Sequence, residues 1–274
     1  MSSILQGVPL REGARVLAEH PCGLAALAKP EGALAHPNRS EDNARALVIA
    51  NYSLEDEAYH VRDGAGGIRR LWLVNRLDGP TSGVLLVATR PEAADAARRE
   101  FAHGRVLKRY AAVCLSRGLL PGQRGTWNDL LARQGGGDEG VRVSVVPPGA
   151  PPRGPAAQAL TLYRVGQVGR VGLALLQLEP RTGRTHQLRV QCAARGHPIL
   201  GDRTYGDFEV NRELGAERGL RRLFLHAESL ELAVDVGGQR VRFVAHDPVP
   251  AEFAAALGEP PPPRGAAGLG RVRV

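Results

Sequence analysis

Asp78 stands in a turn between two short apolar runs, and this arrangement constrains the chain more than any other stretch of it. Leu71 to Val74 leads into Asn75-Arg76-Leu77-Asp78-Gly79-Pro80-Thr81-Ser82-Gly83, and Val84 to Ala88 leaves it. Both runs are leucine-rich or β-branched and read as buried strands. The Gly, Pro, Thr and Ser between them predict a tight connection. A single carboxylate in such a turn ordinarily caps it by bonding nearby backbone. Here it follows Arg76, between two strands that fix its position, and rigid elements presenting an acid on a loop are a usual way of placing a catalytic group. The turn alone leaves both readings open.

The remaining chain narrows the class. Its 274 residues, 43% hydrophobic, suffice for one sizeable core. No apolar run approaches the roughly eighteen residues of a membrane span, and the N-terminus has no secretory pattern. Cys22, Cys114 and Cys192 are few, odd in number and far apart. They suggest neither a disulfide framework nor a metal site, so a reduced, cytoplasmic setting is expected. The formal net charge of +8 suits a polyanionic partner such as RNA, although charge alone also fits a merely basic protein. Its distribution is more telling. Arg181, Arg184, Arg189, Arg195 and Arg203 crowd one block, and Arg105, Lys108 and Arg109 another, while acids cluster elsewhere, as in Glu55-Asp56-Glu57. Of 36 basic residues only Lys29 and Lys108 are lysines, which suggests that a compact ammonium is wanted at those two positions.

Strands are expected over Gly23–Ala28, Val106–Leu115, Val141–Val146, Ala159–Val165, Val171–Leu178, Leu223–Leu225, Leu230–Val236 and Arg240–Val244, with a hairpin turn at Gly237-Gly238. Helices are expected over Glu41–Leu54, from about Pro91 to His103 with Ala93, Ala97 and Phe101 buried, and from Thr185 to about Arg195. In the last of these, His186 and Arg189 share a face, and Leu188 and Cys192 face the core. Residues 117–157 read as loops with short strands. Strands and helices mix without a strict βαβ rhythm, which predicts an α+β fold.

The string Arg76-Leu77-Asp78-x-x-Thr81-Ser82-Gly83 resembles the catalytic motif of the RluA-type pseudouridine synthases, which isomerise uridine in ribosomal or transfer RNA. Further segments resemble the family's in the same order: Lys29-Pro30-Glu31-Gly32 with His36-Pro37; Lys108-Arg109-Tyr110-Ala111-Ala112-Val113; Arg181-Thr182-Gly183-Arg184-Thr185-His186-Gln187-Leu188-Arg189-Val190 with Gly196-His197-Pro198-Ile199-Leu200-Gly201-Asp202 and Tyr205-Gly206; and Leu225-His226-Ala227. Asn75, Leu115 and Gln191 depart from the pattern and leave the subfamily open. The resemblance implies a mixed, largely antiparallel sheet with flanking helices and a basic active-site cleft. Residues 1–14 would be a lead-in, 15–256 one catalytic domain, and 257–274 a flexible Pro/Gly-rich tail.

It also implies an isomerase without a cofactor or metal. The uracil N1–C1′ bond breaks, the base turns, and C5 joins C1′, with nothing oxidised and no group carried away. Asp78 would be the nucleophile, Arg189 its salt-bridge partner, and Tyr110 the aromatic against the flipped base. Each has a plainer alternative: a turn cap, a solvated helix arginine, a core tyrosine. Arg76, Lys29, Lys108, Arg184 and Arg203 are the expected RNA contacts. No membrane and no obligate protein partner is expected, and the chain reads as a monomer. Two rivals are a non-catalytic RNA-binding protein on the same fold, and a glycoside or nucleoside hydrolase. Most glycoside hydrolases use two carboxylates, and only one stands in a motif here.

Overall fold

A computed structural model describes residues 3–37, 40–63, 66–134, 141–169 and 171–258. The tail expected from 257 lies outside these beyond residue 258. The chain begins with a hairpin of β1 (Arg15–Glu19) and β2 (Leu24–Lys29) and a short 3-10 turn over Ser40–Arg45. β3 (Asn51–Ser53), β4 (Ala58–Arg62), β5 (Ile68–Leu73) and β6 (Ser82–Ala88) follow, then α1 (Pro91–Ala102). Next come β7 (Leu107–Leu115), β8 (Arg124–Gln134), β9 (Arg142–Val145), β10 (Ala156–Val168) and β11 (Leu173–Pro180). The chain continues through α2 (Gln187–Ala194), α3 (Phe208–Glu217), β12 (Leu225–Val236), β13 (Gln239–His246) and α4 (Ala251–Ala256).

All thirteen strands belong to one sheet, with β3-β4-β5-β6-β12-β7-β11-β10-β8-β9 as its main path and β1, β2 and β13 attached beside it. The strand pairings are antiparallel except β6 with β12, which run parallel over two residue pairs, His226 with Ser82 and Ala227 with Gly83. The fold is thus α+β with a mixed, largely antiparallel sheet, as expected. The parallel contact is tight. Gly83 has φ +112, and a Cβ there would lie 2.2 Å from the Ala227 carbonyl oxygen. Only glycine lets the strand after the Asp78 turn approach β12 this closely.

Three apolar clusters hold the sheet to its surroundings. Ala93, Ala94, Ala96 and Ala97 lay α1 against Leu230, Leu232, Val241 and Phe243 of β12 and β13. Small side chains let this helix sit close to the sheet. Leu188 and Cys192 of α2 pack with Val113, Leu176 and Leu178. Leu5, Leu47 and Tyr59 cover the other face of β2 and β6.

The structure corrects several element assignments. No α-helix covers 41–54. Ala46, Leu47 and Val48 are buried consecutively, which one helix face cannot do, and the segment bonds instead to Leu34 and Arg11 backbone. β10 runs on through Gly166 to Val168. β12 is continuous where two strands with a gap were expected. β8 occupies a stretch read as loop, and β1, β3, β4, α3 and α4 were not anticipated.

Candidate active site

The turn that carries Asp78 is fixed from every side. Its own backbone closes by Thr81 N–H donating to the Asp78 carbonyl at 3.0 Å. Asn75 Oδ1 accepts from Leu86 N–H at 2.7 Å, which ties the incoming segment to β6. Lys29, only 1% exposed, donates to the carbonyls of Pro30 (3.0 Å), Ala33 (2.6 Å) and Gly79 (2.8 Å). Burial pushes its pKa down to about 7, and the three carbonyls answer the three N–H groups of the ammonium form. Lys29 was expected to touch RNA phosphate. It is instead a staple beneath the turn, with no ammonium left to present. At the far end Ser82 Oγ bonds His226 Nδ1 at 2.9 Å and accepts from Arg222 Nη2 at 2.5 Å, while His226 Nε2 bonds the Asp247 carbonyl at 3.0 Å.

From the other half of the sheet, α2 delivers Arg189. Two buried glutamines place that helix. Gln187 donates to Leu160 O and Thr161 Oγ1 and accepts from Thr182 Oγ1 and Arg184 N, while Gln191 bonds Thr161, Asp129 and Ala159. Arg189 Nη1 donates to Asp78 Oδ2 at 3.0 Å, so the expected ion pair is present. The fork of the guanidinium, however, goes to a different carboxylate. Nε and Nη2 donate to Asp202 Oδ2 and Oδ1 at 2.7 and 2.8 Å. Asp202 is 1% exposed and also accepts from Thr204 N and Tyr205 N. Burial would push its carboxyl up, but the Arg189 guanidinium and those N–H groups more than offset this and hold it below the usual carboxylate range. Burial likewise works against the charge of Arg189, and Asp202 and Asp78 overcome it. Breaking one member of such a buried pair costs about 3–5 kcal/mol.

His186 adds a third group to the carboxylate. It adopts the left-handed region (φ 53, ψ 18) at the start of α2, a conformation rare for residues with side chains. Its Nε2 lies 3.8 Å from Asp78 Oδ2. Tyr205 OH accepts from Val143 N–H at 2.9 Å and lies 2.9 Å from His186 Nδ1. The Tyr205 hydroxyl thus links His186 to β9, and Nε2 is the ring nitrogen that faces Asp78. Burial, only partly countered by Asp78, lowers the His186 pKa and keeps the ring neutral.

Asp78 itself is 29% exposed and opens on a cleft of about 1060 Å³. Tyr110, from β7, lines the same cleft, and burial and the Asp78 charge push its phenol pKa up. Arg76, Lys108, Arg133, Arg142, Arg184, Arg189 and Arg203 also line it, and among the described residues Asp78 is the only acid that does. Arg76 is exposed and donates to His36 Nε2 at 3.1 Å. Arg184 is exposed and donates to Gln158 O at 3.0 Å, and Arg203 is exposed. Lys108 is half-buried, donates to Thr182 O at 2.9 Å, and is pushed by burial down to about 8.

Of the eight site residues expected, seven thus meet in one cleft and Lys29 does not. The roles of Asp202, His186 and Tyr205 were missed although all three stand in the motif block. Only the residue types marked them, since their partners lie far off in sequence. Arg133 and Arg142 were missed because β8 and β9 were not read as a hairpin on the cleft rim.

A family model described as RNA pseudouridylate synthase matches residues 23–194. The chain is 33% identical over 225 residues to tRNA pseudouridine synthase C of Yersinia pestis, covering 81% of this chain and 82% of the relative. It is 33% identical over 235 residues to ribosomal large subunit pseudouridine synthase D of Xylella fastidiosa, covering 84% of this chain and 64% of the relative. Among solved structures it is similar to Human RNA Pseudouridylate Synthase Domain Containing 1, with TM-score 0.63, 26% identity, and 89% and 87% of the two chains covered.

Proposed function

The chain belongs to the RNA pseudouridylate synthase family, and from that premise we propose that Asp78 converts a uridine of a transfer or ribosomal RNA into pseudouridine within the Arg-lined cleft. The observation that carries this reading is the order of charges across the cleft floor. Asp202 takes both arms of the Arg189 fork, and the remaining Nη1 holds Asp78 at 3.0 Å, leaving the rest of that carboxylate open to the cleft. A buried, pre-aligned guanidinium fixes the direction in which the carboxylate faces the cleft. The target base leaves its stack, at a cost of roughly a few kcal/mol. The Tyr110 ring offers it a wall, and the surrounding cations hold the flanking phosphates. With Asp78 as nucleophile, its carboxylate bonds C1′ or C6, the N1–C1′ bond breaks, and the uracil turns. C5 then bonds C1′ and the bond to Asp78 breaks, which frees the carboxylate; C5 loses its proton and N1 gains one, so the product is an isomer of the substrate. In a glycal route Asp78 instead takes a proton from C2′ and returns it.

The hydrolase reading needs a second carboxylate across the scissile bond. Asp202, the acid nearest in this ion-pair chain, is 1% exposed and spends both oxygens on Arg189. We place the protein in the cytoplasm, acting on RNA as a monomer.

The test is Asp78→Asn with unmodified transfer and ribosomal RNA transcripts. Pseudouridine formation should fall below detection, while RNA affinity stays within about twofold, as expected for a group whose work is done in the transition state. Turnover by Asp78→Asn at the wild-type rate would overturn the assignment. Free uracil released by the wild-type protein would favour the hydrolase.

A further inference from the structure

A second concavity, of about 450 Å³, lies beside the cleft along α3. Its walls include Arg203, Phe208, Asn211, Arg212 and Arg221. Arg203 also lines the catalytic cleft, so the two concavities are neighbours that share this side chain. Phe208 is 62% exposed and is the one aromatic among the exposed large apolar residues of the described chain. An aromatic ring exposed among arginines is a surface on which unpaired bases stack.

The helix keeps its charges sorted. Phe208, Asn211, Arg212, Gly215 and Ala216 recur at intervals of three and four and line the concavity. Glu209 and Glu213, which lie between them in sequence, and Glu217, which follows, do not line it. Arg212 has a long contact of 3.8 Å to Glu209, and both side chains are about four-fifths exposed (79% and 83%), so the pair holds Arg212 weakly. Asn211 ties this surface to the catalytic side. Its Oδ1 accepts from Gly201 N–H at 2.8 Å and its Nδ2 donates to the Asp202 carbonyl at 3.0 Å. Gly201 (φ +75) would put a Cβ 1.7 Å from the Arg222 carbonyl oxygen, so the segment before Asp202 is locked in this position.

We propose that the α3 concavity is a second nucleobase site, which stacks an unpaired base of the same RNA on Phe208 and holds its flanking phosphates with Arg203 and Arg212. The proposal rests on the RNA reading of the neighbouring cleft. The site binds any base by its face and so contributes affinity without reading sequence.

Phe208→Ala and Phe208→Trp test this, with a twelve-nucleotide oligouridylate and unmodified transfer RNA transcripts as probes. Because Phe208 is largely exposed, both variants should keep the wild-type circular dichroism spectrum. Phe208→Ala should bind oligouridylate about tenfold more weakly. On a transcript that the wild type modifies, its KM should rise by about the same factor with kcat unchanged. Phe208→Trp should restore affinity, and its emission, measured against the wild-type background of Trp72 and Trp127, should be quenched by oligouridylate. Wild-type affinity in Phe208→Ala together with unquenched Phe208→Trp would overturn the proposal. So would a change of oligomeric state in Phe208→Ala with RNA affinity intact, which would make the patch a protein contact. A wild-type protein that modifies no transcript would defeat the catalytic reading, while the oligouridylate measurements would still decide this site.

Discussion

At the scale of single residues, Lys108 is where RNA affinity should feel pH, while Lys29, pushed down to about 7, titrates beneath the Asp78 turn and should be felt in turnover. Burial lowers the Lys108 pKa to about 8, so it is charged below that pH and neutral above it. His186, lowered by burial, changes charge only on the acid side. If Lys108 meets a phosphate, RNA affinity should hold steady from pH 6.5 to 7.5 and then fall about five- to tenfold as pH rises past 8, the size of one charge-assisted contact. Lys108→Arg should bind with a flat profile over that range, because a guanidinium does not titrate there. Flat profiles for both proteins would remove Lys108 from the contact surface. The two lysines of the chain illustrate how far residue types can be read. Lys108 lines the cleft, whereas Lys29 uses its three donors on backbone carbonyls under the turn. No local pattern distinguishes that from a phosphate contact. Asp202 was equally opaque. A fork-shaped partner for Arg189 was anticipated, and Asp78 was the acid in view, but the fork belongs to an acid thirteen positions away across a turn.

At the scale of elements, the junction of β6 and β12 is the most demanding contact near the site. Gly83→Ala would combine φ +112 with a Cβ 2.2 Å from the Ala227 carbonyl oxygen, and the clash is with backbone, so the strands must part. The parallel pair His226 with Ser82 would go with it, and with that pair the buried Ser82–His226 bond. We expect about 2–4 kcal/mol of lost stability, seen as a lower thermal midpoint, together with loss of turnover beyond what instability accounts for. A Gly83→Ala protein with wild-type midpoint and turnover would show that the junction is not what fixes the Asp78 turn. Of the strands on either side of that turn, β6 was legible as an apolar run buried throughout, and β5 only from Leu71 on, because Ile68, Arg69 and Arg70 are exposed. β8 was not legible. Its buried Trp127, Leu131 and Ala132 alternate irregularly with Asn128 and Asp129, and Asp129 is tolerated there because Gln191 and Arg195 bond it. The helix expected over 41–54 failed for the opposite reason. Its apolar residues are real core, but they are reached by an extended segment paired to distant backbone.

At the scale of the whole molecule, the net charge of +8 acts through its placement. Seven cations and one acid line the cleft among the described residues, and Arg189 is spent on Asp78 and Asp202. Six cations remain for phosphate. With roughly 0.7–0.9 counterions released per neutralised phosphate, the logarithm of RNA affinity should fall against the logarithm of salt with a slope of about −4 to −5. Arg133 and Arg142 stand on the β8–β9 hairpin, near its tip and away from Asp78 in sequence, with Arg142 opposite Gln134 and Arg133 opposite Val143. Their removal should act on binding alone. In an Arg133→Ala, Arg142→Ala protein the slope should become shallower by about 1.5, affinity at low salt should drop, and kcat at saturating RNA should match the wild type. The readout separates two geometries. If RNA lies along the cleft and under the hairpin, slope and affinity change together. If it approaches from the opposite face of the sheet, the double variant keeps the wild-type slope, and the cleft cations are not the phosphate contacts.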